Sequence, residues 1–234
     1  MLHLLQIAFI SCLLNNSAHE SIVLTKEELL GKFDPPKHES FSLIECTLTS
    51  KTGIYLRTEV YEQVKKMAEA AKKEGVVLSV LSATRNYDYQ KGIWERKWNG
   101  AKYKGWKDAD IASDILKYSS MPGTSRHHWG TDLDFNSVEP SYFKTGNGKK
   151  VYDWLQKNAA SFGFYQTYTS KENGRTGYNE EAWHWSYLPL AKDFLTQYNQ
   201  LISYTDFSGF KGSATAKELN VIEVYVNGIE KALK

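Results

Sequence analysis

Cysteine is scarce: the chain has two in 234 residues, Cys12 and Cys46. If the N-terminal segment is removed, Cys46 stands alone, so no internal disulfide is available and cysteine usage does not report a redox compartment. Charge asymmetry is also lacking, since 29 Lys and Arg stand against 27 Asp and Glu for a formal net charge of +2. Bulk electrostatics therefore makes no case for nucleic acid, and no such partner is expected. The apolar run from Leu4 to Leu14 falls short of the ~20 residues a bilayer-spanning helix takes. Its length suits the apolar region of a signal peptide, so residues 1–18 are expected to direct export to the periplasm or cell envelope, with cleavage after Ala18. Cys12, behind Ser11, offers lipid anchoring as the alternative. There is no internal repeat, no low-complexity linker and no HExxH motif, which excludes the zinc site built on one helix.

Aromatic residues are plentiful, at 14% with seven Trp and fifteen Tyr, and most are expected in the core. Cys46, beside Ile44 and two residues from Leu48, is expected there too. Val60, Val64, Met67 and Ala71 recur at helical spacing, predicting a helix over residues 58–74 that Gly75 stops. VVLSVLSAT follows as a buried strand ending near Arg85, and residues 85–100 and 108–118 read as helices. TDLDF and AWHWSY read as strands, residues 149–162 and 188–201 as helices, the latter with Pro189 in its first turn. Residues 167–179 form a polar loop. In the tail, Leu219, Ile222, Val226, Ile229 and Leu233 lie on one stripe, predicting an amphipathic helix packed on the domain. Strands and helices mix without a regular βαβ rhythm, so the fold class is α+β and one domain accounts for the chain.

The chemistry concentrates in SRHHWGTDLDF, residues 125–135, and NEEAWHWSY, residues 179–187. Of six histidines, His127, His128 and His184 are the plausible metal ligands. Catalytic zinc commonly takes three His, Asp or Glu ligands and keeps a position open. Neighbouring side chains in extended backbone face opposite ways, so His127 and His128 should divide, one facing the metal and the other core or solvent. Asp132 and Asp134 share a face if the segment is a strand. Gly130 permits the turn that would bring a histidine to the same point, but parity leaves the His127–Asp134 and His128–Asp134 pairings both open. His184 sits between Trp183 and Trp185, both expected to face away from it into apolar packing. Glu181, three residues earlier, is the carboxylate that could act as general base beside a metal-activated water.

Three separated elements agree with one family. Ser125 to Asp134 resembles the SxHxxGxAxD motif of the VanY-type D-alanyl-D-alanine carboxypeptidases, a group related to lysostaphin-like enzymes and the hedgehog domain. Glu181-Ala182-Trp183-His184 resembles its ExWH element, and Ser82 to Arg85 with Tyr87 and Gln90 resembles its SxxR…Q segment. The resemblance implies one Zn2+ per chain on His127, Asp134 and His184, with Glu181 as general base and His128 as bystander. Arg85 would meet the substrate's C-terminal carboxylate or the developing oxyanion, and Ser125, Gln90 and Tyr87 would contact substrate. It further implies a small, mainly antiparallel sheet carrying the zinc site and flanked by helices. A carboxypeptidase domain over residues 19–205 and a tail over residues 206–234 follow from it. The implied activity removes D-alanine from peptidoglycan stem peptides, D,D- or L,D-, with no stable protein partner. A peptidoglycan endopeptidase and a non-catalytic zinc-bearing module are the alternatives. Asp132, where the family carries a small residue, would compete with Asp134 for the metal or support a histidine from behind.

Overall fold

The computed structural model describes residues 22–234. The expected signal segment and Cys12 lie outside the described residues. In chain order the first elements are α1 (Lys26–Leu29), β1 (Phe41–Leu43), β2 (Tyr55–Arg57), α2 (Thr58–Lys73), β3 (Val80–Ser82), α3 (Tyr87–Trp98) and α4 (Asp108–Ile115). They are followed by β4 (Asp132–Phe135), α5 (Gly146–Asn158), β5 (Phe164–Gln166), β6 (His184–Tyr187), α6 (Leu188–Leu201) and α7 (Thr215–Glu218). The strands β1 and β2 form a hairpin, and a second sheet runs β3-β4-β6-β5 with every neighbouring pair antiparallel. The result is the expected α+β domain with a small antiparallel sheet among helices. Among the described residues no helix is long and apolar enough to cross a membrane.

Helical periodicity was a sound guide. Helix α2 buries Val60, Val64, Met67 and Ala71, and ends before Gly75, whose φ of +75° suits a residue without Cβ. Helix α6 starts with Pro189 in its first turn and buries Leu190, Ala191, Phe194, Leu195 and Tyr198. Asn86 caps α3 by accepting a hydrogen bond from the Tyr89 amide at 2.9 Å.

Three expectations need correction. The apolar run after Gly75 contributes only the three residues of β3 to the sheet, with Val77 71% exposed. Its backbone bonds go elsewhere: the Val80 amide donates to the Leu48 carbonyl at 2.7 Å, the Thr84 amide to Tyr55 and the Arg85 amide to His127. Cys46 is exposed, in the turn after β1, rather than in the core. The tail is not one amphipathic helix, because Asn220 takes a left-handed φ of +48° and breaks it into short turns. Its apolar stripe is nonetheless buried: Ile222, Val226, Ile229 and Leu233 all pack on the domain.

That tail braces the polar loop of residues 167–180. The Glu230 amide donates to the Thr167 carbonyl, and the Glu230 carboxylate accepts from Thr169 Oγ1 at 2.6 Å. Arg175, 6% exposed, donates to the carbonyls of Thr169, Thr176 and Gly228, joining loop and tail through one guanidinium. Replacing it leaves buried carbonyls unpaired, and bonds from a charged donor are worth about 1.5–3 kcal/mol each. Arg175→Met should therefore lower unfolding free energy by about 2–3 kcal/mol in denaturant titration. It should also speed amide exchange across residues 167–180, whereas an unchanged midpoint and exchange pattern would remove the brace.

Candidate active site

The β4–β6 ladder pairs Asp134 with His184, Leu133 with Trp185 and Asp132 with Ser186. Alternation then turns Asp132, Asp134, His184 and Ser186 to one face. His184 lies between the two carboxylates: its Nε2 is 3.0 Å from Asp132 Oδ2 and its Nδ1 is 3.3 Å from Asp134 Oδ1.

His127 arrives from a different direction, on a 3-10 turn over Arg126–Trp129 that Gly130 closes at a φ of +72°. A Cβ at Gly130 would fall 2.4 Å from the Phe41 ring, so both conformation and space select glycine there. The turn is held by Arg57, whose Nε donates to the Trp129 carbonyl at 2.8 Å and whose amide donates to the Gly130 carbonyl. The sequence expectation that His127 and His128 diverge holds, although the backbone is a turn and not a strand. His127 Nε2 lies 3.5 Å from Asp134 Oδ1. His128 points into the protein, with Nδ1 2.6 Å from the Arg85 carbonyl and Nε2 accepting from the Gly123 amide.

His127, Asp134 and His184 thus bring three potential ligand atoms within 4.8 Å of one another. His127 Nε2 and Asp134 Oδ1 are buried with no hydrogen-bond partner, an arrangement that is costly unless a cation completes it. The remaining ring nitrogens are engaged: His127 Nδ1 is 2.7 Å from the Ala83 carbonyl, and His184 Nε2 is the one on Asp132. The hydrogen-bond network therefore assigns opposite tautomers to the two rings, leaving Nε2 of one and Nδ1 of the other free for a metal. Two imidazole nitrogens and one carboxylate oxygen are a donor set that fits zinc with a fourth position open.

Electrostatics agrees. Burial opposes ionisation of Asp134, yet His127 and His184 hold its carboxyl well below the usual range. Burial also opposes a charge on His184, but the Asp132 and Asp134 carboxylates beside it win and push it up to about 9. The same negative surroundings that favour a proton on His184 favour a metal cation beside it. Burial draws His127 down, toward the neutral imidazole a metal requires. Glu181, 5% exposed, has Oε2 3.5 Å from His184 Nδ1, and burial pushes its carboxyl up to about 8. Such a group can take and return a proton near neutral pH.

These residues open onto a cleft of about 410 Å³ walled by Arg85, Lys97, Tyr118, Glu139, Trp183 and Ile93 together with Asp134, Glu181 and His184. A recess of about 20 Å³ shares Arg85, Tyr118, Glu181 and His184 with it and adds Ser120, Ser125, His127, Tyr168 and Tyr178. Arg85 and Ser125 are therefore brought to the site. The Arg85 Nε and the Ser125 Oγ are both buried without a hydrogen-bond partner. Tyr87 and Gln90 line neither space. The Tyr87 hydroxyl donates to the Ser208 carbonyl, and the fully buried Gln90 donates to the Ser120 carbonyl at 2.7 Å, supporting the recess from behind. Trp185 is buried beside Leu133, and Trp183, just before β6, is buried against Phe143 and Tyr118 while also forming part of the cleft wall. Sequence reasoning did not reach Tyr168, whose ring centroid is 4.7 Å from that of His184, or Tyr178 behind it. Both lie in the polar loop or at its edge, where no periodicity marks an inward residue.

The family model described as VanY, D-alanyl-D-alanine carboxypeptidase, matches residues 53–190. A D-alanyl-D-alanine carboxypeptidase of Enterococcus faecalis is 32% identical over 143 residues, 61% of this chain and 51% of that protein. The chain thus spans about half the length of the curated relatives it matches. Among solved structures, a variant of the vancomycin-resistance D,D-pentapeptidase VanY in complex with Zn(II) aligns with a TM-score of 0.51 and 26% identity, over 71% of this chain and 89% of that one. The LdcB LD-carboxypeptidase aligns with a TM-score of 0.54 and 26% identity, over 73% of this chain and 77% of that one. With more than half of its length matched by the family model, the chain belongs to the VanY family of D-alanyl-D-alanine carboxypeptidases.

Proposed function

We propose that this protein is a zinc-dependent carboxypeptidase that removes a C-terminal D-alanine from peptidoglycan stem peptides, acting in the cell envelope. The observation that carries the reading is the convergence of His127 Nε2, Asp134 Oδ1 and His184 Nδ1 beside Glu181, in a cleft whose wall includes Arg85. His127, Asp134 and His184 would hold the ion, and when bound it supplies Lewis acidity for the scissile carbonyl and for water. Glu181 accepts the proton of the attacking water and returns it to the leaving amine, which suits a carboxyl whose proton is held near neutrality. Arg85 presents an unpaired guanidinium edge to the cleft, and a fork of N–H donors matches the carboxylate that ends the substrate. Ser125 contributes a hydroxyl to the small recess that adjoins the cleft. A guanidinium on the cleft wall, able to receive a terminal carboxylate, favours an exopeptidase over an enzyme that cuts within crosslinks.

Two measurements test this. Stem pentapeptide and tetrapeptide incubated with the zinc-loaded protein should lose one alanine, by mass spectrometry, and chelator should abolish the loss. Release from the pentapeptide marks D,D-specificity, release from the tetrapeptide L,D-specificity, and no release from either would contradict the proposal. Glu181→Gln should bind zinc at unchanged stoichiometry while kcat falls by about 10²–10⁴-fold, the usual weight of acid–base catalysis. A Gln variant with full turnover would remove Glu181 from the proton path.

A further inference from the structure

We propose that Asp132 is a positioning residue for the metal centre, fixing which nitrogen of His184 faces the ion, and that Arg126, Thr131 and Ser186 exist to hold it. This rests on the ligand set proposed above. The VanY-type motif that this segment resembles carries a small residue at this position, so the device belongs to this chain's own residues.

The geometry is explicit. Asp132 is fully buried, and its carboxylate accepts four hydrogen bonds. Oδ1 accepts from Thr131 Oγ1 at 2.7 Å and Ser186 Oγ at 2.8 Å. Oδ2 accepts from Arg126 Nε at 2.9 Å and lies 3.0 Å from His184 Nε2. These donors account for the acceptor sites of a carboxylate, so it has no lone pair to spare for a metal. That disposes of Asp132 as a competitor to Asp134, whose Oδ1 is unpaired.

With Nε2–H committed to Asp132, His184 can present only Nδ1, which faces Asp134 and Glu181. His127 is oriented differently, by the neutral Ala83 carbonyl. A carboxylate behind an imidazole raises its donor strength and locks its ring, where an amide carbonyl does so less. His184 is therefore the better-anchored ligand of the two. Arg126 makes the arrangement affordable inside the protein by neutralising Asp132. Its guanidinium lies 4.7 Å from the Trp129 ring centroid and bonds Ser186 Oγ at 2.8 Å. Because Arg126 directly precedes His127, one turn delivers both a ligand and the counter-charge for the residue behind the other ligand. The register opposes Ser186 to Asp132 just as it opposes His184 to Asp134.

The test measures zinc affinity by competition with a chromophoric chelator, alongside thermal unfolding of the apo protein. Asp132→Asn keeps the shape but removes the anionic acceptor, and its zinc Kd should rise about 10–100-fold. Because Asn at 132 leaves Arg126 buried and unneutralised, the double variant Arg126→Gln/Asp132→Asn removes both charges. It should show the same weakening with an apo melting temperature close to wild type. Zinc Kd within twofold of wild type in both variants, with only the melting temperature lowered, would make this a structural ion pair and overturn the inference. Wild-type protein without stoichiometric zinc would overturn the ligand assignment itself, so the two failures are distinguishable.

Discussion

Asp134 and His184 face each other across the antiparallel β4–β6 ladder, and the register of that ladder is the constraint on which the site depends. Sliding β4 by a single residue would turn Asp132 and Asp134 away from the face they share with His184 and Ser186 and bring Leu133 into it. The core resists that slip, because Leu133, Phe135, Trp185 and Tyr187 are all buried. The hydrophobic effect on those alternate positions therefore holds the chemical residues in register. The Gly130 turn, pinned by Arg57, then adds His127 from outside the sheet.

Around this frame the protein concentrates negative charge. Asp132, Asp134 and Glu181 are all buried, each with an oxygen within 3.5 Å of a ring nitrogen of His184, and isolated buried carboxylates are expensive. Each has a different answer. Asp132 has Arg126 and three further donors; Asp134 leans on two imidazoles; Glu181, with least compensation, holds its proton most tightly. Carboxylates whose environments drive them apart can divide the labour of ligand, orienting group and proton carrier. The loop that leads to Glu181 is tied by Arg175 and Glu230 to a tail beyond the residues matched by the family model, so distant chain steadies the approach to that carboxylate.

Much of this was readable from the chain alone, for identifiable reasons. Helices α2 and α6 have long periodic stretches with clear ends, and the period-2 rule put Asp132 and Asp134 on one face. Gly130 permitted the turn that brings a histidine to Asp134, and the structure has a left-handed residue there. What escaped depends on partners remote in sequence. The run after Gly75 looked like a full strand, yet its amides find the carbonyls of Leu48, Tyr55 and His127 in place of a ladder. Tyr87 follows the motif segment but turns to Ser208, and Gln90 to Ser120. Asp132 could be narrowed only to competitor or support, because its partners His184 and Ser186 lie across the ladder, 52 and 54 residues away.

The central claim is that His127, Asp134 and His184 form one zinc site, and zinc-edge anomalous diffraction from crystals of the zinc-loaded protein tests it most directly. The account predicts a single strong anomalous peak about 2.0–2.2 Å from His127 Nε2, Asp134 Oδ1 and His184 Nδ1, the usual zinc–ligand distances. A peak bonded to Asp132 or His128, or none at this cluster in protein carrying stoichiometric zinc, would contradict it.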